Sequence, residues 1–442
     1  MIITYILIGL AVAAITVLLA MAMSQDVFWG VLLLIFFLPF ERIPTLQLGS
    51  FTAKINHLVG GLVIIFFLLD VVFNRRKLYG NPTVIPTVIF LLSLLVSIVH
   101  TTAGVRSIIF FGLDSFVIAL FLIIPQLIDS REKLNRVVQV LLWSVVLVAV
   151  FGLYQFLGDL IGLSSAMTGL DPGYSKKVFG FPRIQAFAKE PLYLGNYLLI
   201  PLGTLFALFI AKIRHIQVVP IAFLVMVVFV LTLSRGAFLA FAVAAAIALL
   251  FAFKKIFTFR SILLGGAAVF LVLIAVNGIL NKLGPDLKER FLAHATIQDY
   301  RSGDSTQGRL HAFAKAIDAF EESPVSGIGL GAYGMYVLNY PATPPPNGWF
   351  IVNNQYLELL AETGILGFAS FVLLVAVILG RSLIAYIKTQ DQFYAALVLG
   401  LTAAYIGTLV QYNFFSTLAI IHIWVLMGLI VAVQNLALKI IK

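Results

Sequence analysis

Two arginines stand where an apolar chain tolerates charge least. Arg183 lies in Phe181-Pro182-Arg183-Ile184-Gln185-Ala186-Phe187-Ala188-Lys189-Glu190-Pro191, and Arg235 is wedged between two apolar spans in Thr232-Leu233-Ser234-Arg235-Gly236-Ala237. A guanidinium is always charged and offers a planar fork of donors that meets phosphate oxygens two at a time, so both are candidate anion receptors. The plainer alternatives are a turn residue snorkelling to the interface for Arg235 and a solvated loop cation for Arg183. For proton transfer the candidates are Glu190 and His311. Glu190 sits beside Pro191 where a loop re-enters the membrane; burial would raise its pKa while Lys189 and the arginines would lower it, and a first-turn helix carboxylate is the equal alternative. His311 falls on the polar face of a loop helix, where solvation alone accounts for it.

Nothing points to a metal. The six histidines (His57, His100, His215, His294, His311 and His422) have no metal-ligand spacing, and the chain has no cysteine, which also removes disulfides and thiolate chemistry. No cofactor is implied.

The elements that position these residues follow from composition. Of 442 residues, 61% are hydrophobic and 11% charged, with a mean hydropathy of +1.07, far from a soluble domain with about 25% charge. The expectation is an all-α polytopic membrane protein with about thirteen spans, in a range of twelve to fourteen, near 3–23, 27–40, 58–74, 84–100, 107–128, 137–163, 191–211, 217–234, 236–253, 261–280, 364–387, 392–410 and 417–438. Ile2 to Met23 has no basic flank before it and reads as a retained helix. The formal charge of +10 comes from short basic clusters between spans, including Arg75-Arg76-Lys77 and Arg131 to Arg136. That is the pattern of cytoplasmic loops and not of a nucleic-acid binder. Residues 1–442 then form a single membrane domain, with one large loop at 281–350 on the opposite, periplasmic face.

Within that loop Leu310, Phe313, Ile317 and Phe320 recur at helical spacing opposite His311, Lys315, Asp318 and Glu322, which predicts an amphipathic helix lying on the membrane surface. Ser323-Pro324-Val325-Ser326-Gly327-Ile328-Gly329-Leu330-Gly331 ends it. Pro341 to Pro346 reads as a stiff extended spacer. Asn353 or Asn354 caps the next helix, putting Asn354, Glu358 and Glu362 on one stripe, either a capped acidic face or part of a sugar-binding wall. Tyr356 and neighbouring aromatics fit sugar stacking or an interfacial belt.

The Thr232 to Ala237 junction, the Gly308-Arg309 helix leading to Ser323 to Gly329, and the run Asn353-Asn354-Gln355-Tyr356-Leu357-Glu358-Leu359-Leu360-Ala361-Glu362-Thr363-Gly364-Ile365-Leu366-Gly367 together resemble the O-antigen ligase and polymerase superfamily. The resemblance implies a metal-independent membrane glycosyltransferase of the GT-C type. Such enzymes take a glycan from an undecaprenyl-diphosphate carrier at the periplasmic side of the inner membrane and pass it to an acceptor glycan or to lipid A core. Membrane lipids surround it, and a chain-length regulator protein is an implied partner. Arg183 and Arg235 match arginines used for the carrier phosphates. Arg309 matches a third, which either completes the anionic site or anchors its helix to lipid headgroups. The ligases carry a histidine where this chain has Asn353, and an amide cannot act as a base near neutral pH. That tilts the expectation toward a polymerase of O-antigen or exopolysaccharide, with Glu190 as base. A transporter of lipid-linked sugars or small anions is the alternative from another class; it would bury ionisable residues at mid-bilayer, and the acids inside the apolar spans, Asp70 and Asp114 among them, are few.

Overall fold

A computed structural model describes residues 21–256 and 304–440, apart from 43–44, 49–50, 74–75, 175–176, 179, 214–216, 342, 344 and 346–347. Among the described residues the elements run α1 (Phe28–Phe37), β1 (Thr45–Leu48), β2 (Phe51–Lys54), α2 (Ile55–Phe73), α3 (Val84–Val99), α4 (Val105–Leu127), α5 (Arg131–Leu160), α6 (Ser165–Thr168), α7 (Pro191–Ile210) and α8 (Val218–Leu231). They continue with α9 (Arg235–Ile256), α10 (Asp304–Glu322), α11 (Tyr333–Val337), α12 (Gln355–Lys388), α13 (Gln392–Gln411) and α14 (Ile421–Ala437). The protein is an all-α multi-pass membrane protein. Seven of these helices are long and apolar enough to cross a membrane and four more are shorter apolar helices. They match eleven of the expected spans; the other two, at 3–23 and 261–280, lie outside the described residues. One strand pair was not expected. β1 and β2 form a two-stranded antiparallel hairpin, Thr45 opposite Lys54, at the start of α2.

The bundle is organised around α14. All 17 of its residues are buried, which explains a helix apolar on every side. Its three polar side chains each meet a partner from another helix: His422 meets Asn196 (2.8 Å), Gln434 donates to the Ile378 carbonyl and Ser382 Oγ, and Asn435 accepts from Arg381. Nearby, α7 and α13 cross where Gly203 and Gly400 face each other so closely that a Cβ on either would overlap the other's carbonyl. Small residues at such a crossing give van der Waals packing, which holds helices together where lipid leaves little hydrophobic drive between them.

The segment that most shapes the end of the bundle near the site is a break in α12. Gly364 adopts φ 61°, ψ −164° inside the helix, freeing backbone groups that a continuous helix would pair. The glycine-rich turn after α10 threads the break. Ile328 N donates to Ala361 O (2.9 Å), Gly329 N to Glu362 O (3.0 Å), and Ile365 N to Pro324 O (2.9 Å). The two chains touch at Gly327 (φ 72°) and Gly364, where a Cβ on Gly327 would overlap the Glu362 carbonyl and one on Gly364 would overlap Val325.

This packing revises the expected amphipathic face. α10 turns Ala316 and Ala319, with Phe313 partly buried, toward Ala361, Val352 and Tyr333, while Leu310 and Ile317 are exposed. Close approach to α12 selects the alanine stripe, so Leu310 and Phe313 do not share one environment.

Substituting Gly364→Ala or Gly327→Ala adds left-handed strain of about 1 kcal/mol to an unavoidable backbone overlap. Thermal unfolding in detergent should show each losing more than about 3 kcal/mol, the range of severe packing defects. Gly112→Ala, on α4 with open space around it, should be neutral or slightly stabilising.

Candidate active site

The loop carrying Arg183 and Glu190 is fixed to the bundle along its length. Ile184 N donates to Leu231 O (3.3 Å), and the Phe187 carbonyl accepts from Glu41 N (3.1 Å) and Arg42 N (2.9 Å). The Phe187 ring stacks between Phe40 (4.3 Å) and Phe151 (4.5 Å). Gln155 Oε1 accepts from Ala186 N (2.7 Å), holding a non-glycine residue at φ 46°, and Arg42 caps the Gly169 and Ala186 carbonyls. None of these partners is near in sequence.

So anchored, the loop brings its arginine to the second one. Arg183 Nε donates to Thr232 O (3.3 Å), the last turn before Arg235, which begins α9. Burial lowers the Arg183 guanidinium below its ordinary pKa; Glu190 opposes that and Arg235 reinforces it. The two cations and the carboxylate are therefore close enough to feel one another. Glu190 precedes Pro191 at the start of α7, with its backbone extended. Burial raises its carboxyl above the ordinary value, Glu41 adds to the rise, and Lys189 and Arg183 pull against it. The direction that sequence left open is upward.

A second acid contacts the same loop. Glu41 is 8% exposed, accepts from Lys189 N (3.3 Å) and meets His422 Nδ1 at 3.6 Å. Burial raises its carboxyl, but the His422 hydrogen bond and the charge of Lys54 outweigh this and leave it below the ordinary value. Sequence reasoning missed Glu41 and His422, whose pairing spans nearly the whole chain.

Close to this loop opens a cavity of about 330 Å³, lined by Lys54, His57, Arg106, Asp114, Gln355 and Glu358 among others, within the roughly 300–1,000 Å³ usual for ligand sites. Tyr193, on the first turn of α7, links the two: its hydroxyl lies 3.1 Å from Thr417 Oγ1, and Thr417 lines the cavity. Glu362 forms part of the wall, and its carboxylate is engaged by Gly331 N (2.8 Å) and Tyr333 N (3.0 Å). Arg106 closes the same turn, donating to Gly331 O (2.7 Å) with its guanidinium over Phe110 and Trp349.

The remaining candidates are placed as follows. Asn354 is the cap of α12, accepting from Tyr356 N and Leu357 N. Asn353, at φ 58°, donates its backbone N–H to Ser416 Oγ (3.0 Å). Glu358 accepts from Val352 N (3.3 Å) and faces the cavity. Tyr356 turns away, its hydroxyl donating to Leu409 O (2.6 Å). Arg309 is half-buried and His311 exposed on α10, and neither lines the cavity. Asp70 pairs with Arg76 (2.7 Å), and Asp114 is buried in the cavity wall. Among the described residues no cluster of histidines and carboxylates has metal-binding geometry.

A family described as O-antigen ligase matches residues 220–372, the stretch holding Arg235, the glycine-rich turn and the broken helix. The likeness to that family is carried by those residues. An O-antigen polymerase of Salmonella muenchen is 28% identical over 154 residues, 35% of this chain and 36% of that protein. The aligned part thus spans little more than a third of the relative's length.

A raised Glu190 pKa has a stability consequence. The folded state holds that proton more tightly than the unfolded chain, so stability falls as pH rises from the ordinary value of 4.5 through the raised one. Thermal melts from pH 4 to 8 should show Glu190→Gln gaining on the parent as pH rises through that window, with the two alike at the acid end. A constant offset across the range would contradict it.

Proposed function

We propose that this protein is a membrane glycosyltransferase that polymerises undecaprenyl-diphosphate-linked oligosaccharide at the periplasmic face of the inner membrane. The observation that carries the reading is the meeting of Arg183 and Arg235 beside Glu190 at the outer ends of α7 and α9. The acceptor hydroxyl oxygen attacks the anomeric carbon of the donor. The bond from that carbon to the diphosphate oxygen breaks with its electron pair, the hydroxyl proton passes to Glu190, and undecaprenyl diphosphate leaves as the anion. Two preorganised guanidinium groups meet the charge that develops on the leaving group, which is where electrostatic catalysis gains most.

Glu190 suits the base. Its raised pKa brings it nearer the operating pH than an ordinary carboxylate, and Arg183 is placed to stabilise the ionised form before the proton arrives. Polymerisation is favoured over ligation because Asn353 stands where ligases carry a histidine, and because the similar Salmonella muenchen protein is an O-antigen polymerase. Ligation to lipid A core is the second reading, favoured by the description of the matching family.

The test is reconstitution in vesicles with a defined undecaprenyl-diphosphate oligosaccharide. A ladder of multiples is expected, unchanged by a chelator of divalent metals. One shifted band that requires lipid A core would mean ligation, and unchanged donor with movement of lipid across the vesicle would mean transport. Arg183→Ala and Arg235→Ala should each lower the rate by about 10²–10³, as loss of one transition-state donor does elsewhere. Activity within about twofold of the parent would remove that arginine from the chemistry.

A further inference from the structure

The cavity beside the arginines is polar in an unusual way. Gln355 is 2% exposed and lines it. Its backbone N–H is held by Tyr412 O (2.8 Å), which fixes the residue at the start of α12, yet its side-chain carbonyl is buried with no partner. His57 Nδ1, on the facing helix α2, is also buried without a partner, its ring stacked on Phe116 at 5.8 Å. Buried polar atoms are nearly always paired. Two unpaired ones lining the same cavity, on separate helices, mark a place shaped for an outside group.

We infer that this cavity holds a sugar unit of the acceptor glycan, with Gln355 and His57 receiving its hydroxyls. The inference rests on the glycosyl-transfer reading and adds to it the acceptor site. A pyranose carries hydroxyls that donate and accept on its rim and C–H groups on its faces. The cavity answers each kind of group. Gln355 and Glu358 supply acceptors, Lys54 and Arg106 supply donors, His57 takes either role according to its tautomer, and the Tyr333 and Phe350 rings supply apolar wall.

An anionic ligand fits less well. Three carboxylates, Asp114, Glu358 and Glu362, border the space against two cations, Lys54 and Arg106, and Arg106 is already engaged by the Gly331 carbonyl, so a diphosphate there would face more carboxylates than free donors. The Tyr193–Thr417 contact sets the cavity next to the turn that carries Glu190, so a sugar seated there presents a hydroxyl toward the base. At about 330 Å³ the space is at the small end of ligand pockets and takes one ring, or two at most.

The probe is the repeat-unit oligosaccharide freed from its lipid by mild acid, titrated against the full protein in nanodiscs by saturation-transfer NMR and calorimetry. The parent is expected to bind it. Gln355→Leu and His57→Phe should each weaken that binding about three- to tenfold, the range for one lost hydrogen bond, and raise KM for the acceptor with little change in kcat. Gln355→Glu, which keeps an acceptor at the same place, should retain binding and guards against a folding artefact. Undecaprenyl diphosphate binding should be unchanged in all three. Parent-like oligosaccharide binding by both Gln355→Leu and His57→Phe would overturn the inference, as would a parent that builds glycan ladders without binding the free oligosaccharide. A parent that binds the oligosaccharide through Gln355 but never extends it would leave the sugar site standing and remove the transferase reading instead.

Discussion

The end of the bundle that carries the site depends on how one carboxylate is satisfied. Glu362 is 6% exposed, and a carboxylate taken out of water costs several kcal/mol unless charge or hydrogen bonds replace the lost solvent. Here Gly331 N and Tyr333 N do so, and those donors are available because the glycine-rich turn passes through the break in α12. Break, turn and carboxylate are one arrangement. Without Gly364 in its left-handed conformation the turn has no path, and without the turn Glu362 would be a buried charge lacking partners.

That arrangement positions the groups around it. Arg106 is held against the far side of the same turn through Gly331 O, which fixes one wall of the cavity. The start of α12, capped by Asn354, fixes Gln355 and Glu358 on the opposite wall. On the other side of the cavity, α7 carries Tyr193 and begins at Glu190, while the loop before it reaches Thr232 and Arg235. Both places pair cations with carboxylates: Arg106 and Lys54 stand with Asp114, Glu358 and Glu362 in the cavity, and Glu190 stands near Arg183.

How far this was legible in the sequence varied with sequence separation. Spans such as 191–211 and 392–410 are written in local composition, and Asn354 announces its cap because the motif is closed within three residues. Leu310, Phe313, Ile317 and Phe320 gave the α10 helix correctly. They misled on its face, because the alanines between them are what permit close approach to α12, and periodicity weighs large apolar residues above small ones. Arg183 and Arg235 could be named as anion receptors from residue type, but their proximity depends on a hydrogen bond between positions 49 apart. Asn196 and His422 are 226 apart, Glu41 and His57 have nothing around them in sequence that signals a site, and Gln355, though inside the Asn353 to Gly367 run, is not marked there by its residue type. Their significance comes from what is missing or present across the bundle, which only packing decides.

The central claim is that Arg183 and Arg235 act together as the receptor for a lipid diphosphate. Its most direct test is binding of undecaprenyl diphosphate itself to the purified protein, followed by native mass spectrometry across a concentration series. Charge-assisted hydrogen bonds contribute about 1.5–3 kcal/mol each, so the double variant Arg183→Ala, Arg235→Ala should bind at least about a hundredfold more weakly than the parent. Glu190→Gln, which removes a nearby negative charge, should bind as well or better. A double variant that holds the lipid as tightly as the parent would contradict the account.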